Sequence, residues 1–147
     1  MCSGSVILAA AGLLDGLRAT SHWMALPMLK AFGAIPVGDQ RIVVEGRPGK
    51  RIVTAAGVSA GIDLGLWLAG QMAGEGRAKA VQLAIEYDPQ PPFDSGHLSK
   101  ASVATRAAAT ALLARDTVSH GQLTSSALLL WGQALKAARS RRRGQRG

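Results

Sequence analysis

Residues 2–16 read "CSGSVILAAAGLLDG", and their reading decides the fold. Cys2, the only cysteine, is followed by the small residues Ser3, Gly4 and Ser5, and then by a run that is apolar on every side. Residues 5–14 carry no polar stripe, so a helix here is expected to be buried nearly all round. Gly12, Asp15 and Gly16 are expected to break it. One cysteine excludes an internal disulfide and every multi-cysteine metal framework, and it suits a reducing compartment.

A cysteine at the start of a helix has a chemical logic. The thiolate is the nucleophile, and the unpaired N–H groups and dipole of a helix N-terminus favour it. Small residues permit a sharp strand-to-helix turn. In such a nucleophile elbow the backbone N–H of the next residue, here Ser3, helps hold a developing oxyanion. Gly4 lets the helix pack closely on a sheet. The alternative is an incidental cysteine near a frayed terminus, because a lone cysteine with small neighbours is a weak signal.

Outward from this stretch, "LRAT" reads as a short strand leading into the loop "SHW", residues 21–23. "MALPMLKAFGA" reads as a helix with Pro27 near its first turn and Gly33 as its stop. In "RIVVEGRPGKRIVTAAG" two β-branched segments, Arg41–Glu45 and Arg51–Thr54, flank the turn residues Gly46, Pro48 and Gly49, which predicts a hairpin or two neighbouring strands. "GVSAGIDLGLWLAGQMAG" follows as a helix. Ser59 is its candidate cap, Ile62, Leu66, Ala69 and Ala73 form an apolar stripe, and Gly74 ends it. Residues 76–86 read as another helix, stopped by the turn-rich "YDPQPPFDSG". "ASVATRAAATALLARD" has good helix propensity. Strand segments followed by helices predict an α/β layered protein.

A chain of 147 residues with 48% hydrophobic content is large enough for one core. Its net charge of +8 has the look of a nucleic-acid signal until it is mapped. Residues 1–116 hold 11 Lys/Arg and all 9 Asp/Glu, a net of +2. Residues 117–147 hold 6 Lys/Arg and no acid, a net of +6. The basic character belongs to the tail, "KAARSRRRGQRG", which reads as solvated rather than as a nucleic-acid or lipid contact. The opening apolar run lacks the charged n-region and cleavage site of an export signal. Residues 121–135 are uncharged but too short for a span. A cytoplasmic protein without a membrane segment is expected.

Read together, "CSGSVILAAAGLLDGLRATSHW", "FGA", "RIVVEG", "RIVTAAGVSAGIDLGLWL" and "AVQLAIEYDPQPPFDSG" resemble the ThiJ/PfpI family, which has the class I glutamine-amidotransferase-like fold. "EYDPQPPFDSG" points to its isonitrile-hydratase-like branch. The resemblance covers residues 2–96; residues 97–115 are looser, and residues 116–147 match nothing recognised. It implies the C-terminal portion of a flavodoxin-like three-layer α/β sandwich with a mostly parallel sheet. The expected division is a partial domain over residues 1–115 and a basic, disordered or partly helical tail over 116–147.

The resemblance also implies roles. Cys2 takes the place of the nucleophile. Ser3 stands where isonitrile hydratases carry a threonine implicated in activity. The loop holding His22 is expected near the cysteine. Gly57 and Val58, in the loop before a helix, are candidate substrate contacts, although strand–helix packing explains Gly57 equally well. The implied reaction adds water to an isonitrile through a cysteine thioimidate, with no metal or organic cofactor. The implied partners are a small-molecule substrate and, for the full-length domain, a second copy. The family also uses an acidic residue from the N-terminal half of the domain. The expectation is therefore a domain entered at its elbow, from a late translation start or as a remnant, with impaired activity. A full domain needs roughly a hundred more residues.

Other residues have plainer readings. Asp63 is expected to be a helix-surface or first-turn carboxylate. Asp88 and Asp94 are expected to shape turns, and Trp67 to be core. His97 and His120 have no metal-site spacing. Two other function classes remain: a sensory domain of the type fused to AraC-like helix-turn-helix regulators, and an inactive fragment. The DNA-binding module needs about a hundred residues, more than follow Gly96.

Overall fold

In the computed structural model the apolar run forms helix α1 (Gly4–Ala10). The structure describes residues 2–47 and 49–119, with side chains through Arg115. Pro48, His120 and the basic tail lie outside the described residues. Helix α1 ends before Leu14, because Gly12 takes φ +78° and turns the chain away. The expectation of all-round burial is corrected. Ser5 and Ala9 are buried, but Ile7 is 72% exposed, so α1 meets the described residues along one face only.

Strand β1 (Arg18–Ala19) pairs in parallel with β2 (Ile35–Pro36), in the register Arg18↔Ile35 and Ala19↔Pro36. The crossover between them contains a single 3₁₀ turn (Trp23–Ala25) and helix α2 (Leu26–Ala31). Pro27 lies in the first turn of α2, where its missing N–H costs nothing, and Leu29 is the buried anchor. Phe32, Ala34 and Val37 complete this part of the core.

The hairpin is antiparallel, β3 (Ile42–Arg47) against β4 (Lys50–Ala55). Gly46 belongs to the strand rather than to the turn, paired with Arg51. Its φ is +100°, and a Cβ there would stand 2.3 Å from the Lys50 carbonyl oxygen. Arg47 pairs with Lys50 around the turn that contains Gly49. Burial is concentrated at the end of the hairpin nearest α3, where Val43, Thr54 and Ala55 are buried.

Helix α3 (Val58–Ala73) follows β4 directly, and α4 (Glu75–Ala84) follows α3 across Gly74, the stop read from the sequence. Gly70 faces Ala78 closely enough for a Cβ at 3.7 Å, so α3 and α4 pack through small residues. Of α3, Ala60 is buried while Trp67 is half-buried and Ile62 exposed, so the stripe expected to be core is only partly covered. The chain divides into two compact units, Met1–Asp94 and Ser95–Gly147. The second contains helix α5 (Val103–Ser119), where the Ser102 hydroxyl accepts the Thr105 N–H at 3.1 Å as an N-cap.

Candidate active site around Cys2

Three segments far apart in sequence meet through one buried threonine. Thr20, just after β1, donates its N–H to Thr54 Oγ1 of β4 at 3.0 Å. Its carbonyl accepts the Ser5 hydroxyl of α1 at 2.8 Å. Burial makes such polar pairings obligatory, so they lock α1, β1 and β4 together. Arg18 and Glu45 add a looser, exposed ion pair between β1 and β3 at 3.8 Å.

This lock brings Cys2 to the joint between β4 and α3. The Cys2 N–H donates to the Ala56 carbonyl at 2.8 Å, and the Cys2 carbonyl accepts the Ser21 hydroxyl at 2.5 Å. Cys2 has φ +49°. A side-chain-bearing residue in this left-handed region is strained by on the order of 1–2 kcal/mol, and it persists where surrounding bonds over-determine it. Two bonds to the backbone of Cys2 do so here. The half-buried thiol is thus carried on a sharp turn that enters α1.

Ser3 occupies the N-cap position of α1 with φ −69° and ψ −8°, and its hydroxyl makes no capping bond. The helix therefore does not consume the polar group at this position. Gly57 is the N-cap of α3, adjacent to Ala56, and Val58 is 71% exposed. His22 adjoins Ser21, and its Nδ1 accepts the Met24 N–H at 3.4 Å. With Nδ1 accepting, a neutral ring carries its proton on Nε2. The ring also packs against Trp23 with centroids 5.5 Å apart. The elbow 2–3, the loop 21–22 and the joint 56–58 are brought together by these backbone bonds. Ser21 and Ala56 are the residues sequence reasoning missed. A clue to Ser21 was its place beside His22; Ala56 acts through its carbonyl, which no residue identity reveals.

Asp63 stands in the second turn of α3, not the first. Its two oxygens are held by Arg41 and Tyr87: Arg41 Nε donates to Oδ2 at 2.7 Å and Tyr87 Oη to Oδ1 at 2.8 Å. The bond to Asp63 raises the Tyr87 phenol above its ordinary pKa. Asp88 accepts the Gln90 amide at 3.2 Å, in keeping with a turn-shaping role. Among the described residues, no group of three or more His, Cys, Asp or Glu is placed to hold a metal, and no helix is long and apolar enough to cross a membrane.

A cysteine on a strained turn into a helix, set beside a parallel β1–β2 pair with its crossover helix, defines part of a flavodoxin-like α/β domain. The DJ-1/PfpI (ThiJ/PfpI) family profile matches residues 1–71 of the chain. It is 50% identical over 96 residues to the isonitrile hydratase of Pseudomonas putida, a match spanning 65% of this chain and 40% of that protein. It is 38% identical over 89 residues to the HTH-type transcriptional regulator CdhR of Pseudomonas aeruginosa, spanning 60% of this chain and 24% of the regulator. The crystal structure of a ThiJ/PfpI family protein from Pseudomonas syringae superposes with a TM-score of 0.69 at 41% identity, over 88% of this chain and 49% of that one. The chain thus spans less than half the length of each relative.

Proposed function

We propose that this chain carries the cysteine half of an isonitrile-hydratase-like active site. What supports the reading most is the 50% identity to an isonitrile hydratase over 96 residues, together with the family profile over residues 1–71, which include the strained Cys2 turn. In this reading the Cys2 thiolate adds to the terminal carbon of R–N≡C. A carbon–sulfur bond forms, the carbon gains a proton, and the product is a thioimidate, R–N=CH–S–Cys2. Water then adds to that carbon with proton transfer to nitrogen. Expulsion of the thiolate releases R–NH–CHO, so the net change is the addition of one water.

The surrounding residues take specific parts. The Ser3 hydroxyl, unused by its helix, positions the water or the adduct. His22, through Nε2–H, is a proton donor to the reacting nitrogen. Gly57 and Val58 contact the substituent R. The carboxylate that the family resemblance places ahead of the cysteine completes the proton traffic. We assign the working protein to the cytoplasm, as a homodimer of complete domains acting on a small molecule.

The test uses the 147-residue chain, alone and joined behind the N-terminal portion of the Pseudomonas putida enzyme. Both are incubated with cyclohexyl isocyanide and assayed for N-cyclohexylformamide. The joined protein should turn over and its Cys2→Ala variant should not. No formamide from either form would end the substrate assignment. The 38% identity to CdhR favours a second reading, a ligand-sensing domain of a transcription regulator. That reading predicts isonitrile binding, seen as a thermal shift, without turnover.

A further inference from the structure

The Arg41–Asp63–Tyr87 cluster lies outside the proposed chemistry, yet it reaches Cys2 through an unbroken chain of bonds. The carbonyl of Arg41 accepts the Ala56 N–H at 2.9 Å, and the carbonyl of Ala56 accepts the Cys2 N–H at 2.8 Å. The guanidinium of the same arginine turns the other way. It holds Asp63 through Nε and Nη2 and donates from Nη2 to Ser59 Oγ at 3.1 Å. Arg41 therefore grips both ends of the segment from Ala56 to Asp63, its backbone at one end and its side chain at the other. That segment is the β4–α3 joint, and it contains Gly57 and Val58.

Tyr87 closes the arrangement from a third element. It stands in the segment that follows α4, and its hydroxyl donates to Asp63 Oδ1 at 2.8 Å. The Ser59 carbonyl lies 3.4 Å from the same hydroxyl. Nε and Nη2 of one rigid guanidinium plane converge on Asp63 Oδ2 while Nη2 also reaches Ser59, a fixed geometry that a lysine ammonium would not supply. The Arg41 side chain is largely exposed, so the cluster adds little to global stability. Its geometry suits placement better than it suits stabilisation.

We propose that Arg41, Asp63 and Tyr87 are positioning residues that set the Cys2 turn through the β4–α3 joint. The assignment gives Tyr87, in the "EYDPQPPF" stretch of residues 86–93, a part in placing the Cys2 turn. It rests on the reading of Cys2 as the reacting thiol, but its test needs no isonitrile.

Because Cys2 is the only cysteine, alkylation by iodoacetamide at fixed pH, followed by mass spectrometry, reads this one thiol. Arg41→Ala should slow alkylation about fivefold, since small misplacements of a reacting group are costly. Arg41→Lys should recover part of the rate, and Asp63→Asn should fall between Arg41→Ala and the wild type. Tyr87→Phe, which removes one hydroxyl, should slow it about twofold. Glu75→Ala, which breaks the exposed Glu75–Lys79 pair on α4, should leave the rate unchanged. In Asp63→Asn the ultraviolet titration of the Tyr87 phenol should move down towards its ordinary value. If Arg41→Ala does not fold, Tyr87→Phe decides. Wild-type alkylation rates in the folded variants would overturn the proposal, as would an equal slowing in Glu75→Ala. A hydratase assay that fails while these rates shift would leave the positioning role standing and remove only the substrate.

Discussion

The Thr20 junction and helix α5 use the same kind of hydrogen bond to different ends. Around Thr20 the bonds link residues 15 and 34 positions apart, and all the side chains involved are buried. On α5 the Ser102 and Thr110 hydroxyls bond to backbone groups three and four positions away, in exposed settings. A non-local bond in a dry setting fixes how elements meet. A local bond in water fixes only the end or the surface of one helix. The seat of Cys2 rests on non-local bonds, whereas His22 is oriented by a local one.

The largest expected difference between the two settings is apolar. Leu29 is fully buried in α2 and Leu83 is 82% exposed on α4. Leu29→Ala should cost about 3 kcal/mol of unfolding free energy in urea titrations. Leu83→Ala should cost less than about 0.5 kcal/mol. Equal costs would break the comparison.

Next comes the buried polar lock. Thr54→Val leaves the Thr20 N–H without its partner and should cost about 2 kcal/mol by the same measurement. Thr110→Val removes a bond that water replaces, and it should change stability by less than about 0.5 kcal/mol. Ser102→Ala should lower the helicity of α5, read by circular dichroism, and weaken it by about 1 kcal/mol.

The smallest effect is electrostatic. Folding raises the Tyr87 phenol above its ordinary value because the phenol donates to Asp63. This contribution is fully present below the ordinary tyrosine pKa and is lost as pH rises through the higher folded value. Melting temperature should therefore fall more steeply above about pH 10 in the wild type than in Tyr87→Phe. Parallel alkaline profiles would remove the Asp63 bond from the account.

Much of the local structure was legible in the sequence. The hairpin, the Pro27-led helix, the Gly74 stop and the α5 segment each carried their own signal in adjacent residues. Three features were not. The apolar run predicted burial on all sides, whereas Ser5, its most polar member, is buried and Ile7 is exposed. Gly46 was read as a turn residue because glycine permits a turn, yet its positive φ serves a strand pressed against the Lys50 carbonyl. Asp63 was read from its own helix, while its partners are Arg41, just before β3, and Tyr87, in the segment after α4. Each miss concerns which residues meet across the fold, and that information is spread over separate segments. The sharp turn at Cys2 was expected from its small neighbours, but Ser21 and Ala56, which seat it, were not.

The Ser5 hydroxyl has a consequence for direction. Apart from Ser5, the side chains of α1 are Val6, Ile7, Leu8, Ala9 and Ala10, all apolar, so hydrophobicity alone sets its rotation about its axis only weakly. The bond from Ser5 to the Thr20 carbonyl removes that freedom. A turn of one residue about the axis would set Val6 or Gly4 against a buried carbonyl and leave it without a donor. One hydroxyl thus acts as the key of a shaft. It fixes the rotational phase of α1, and with it the way Ser3 and Cys2 face.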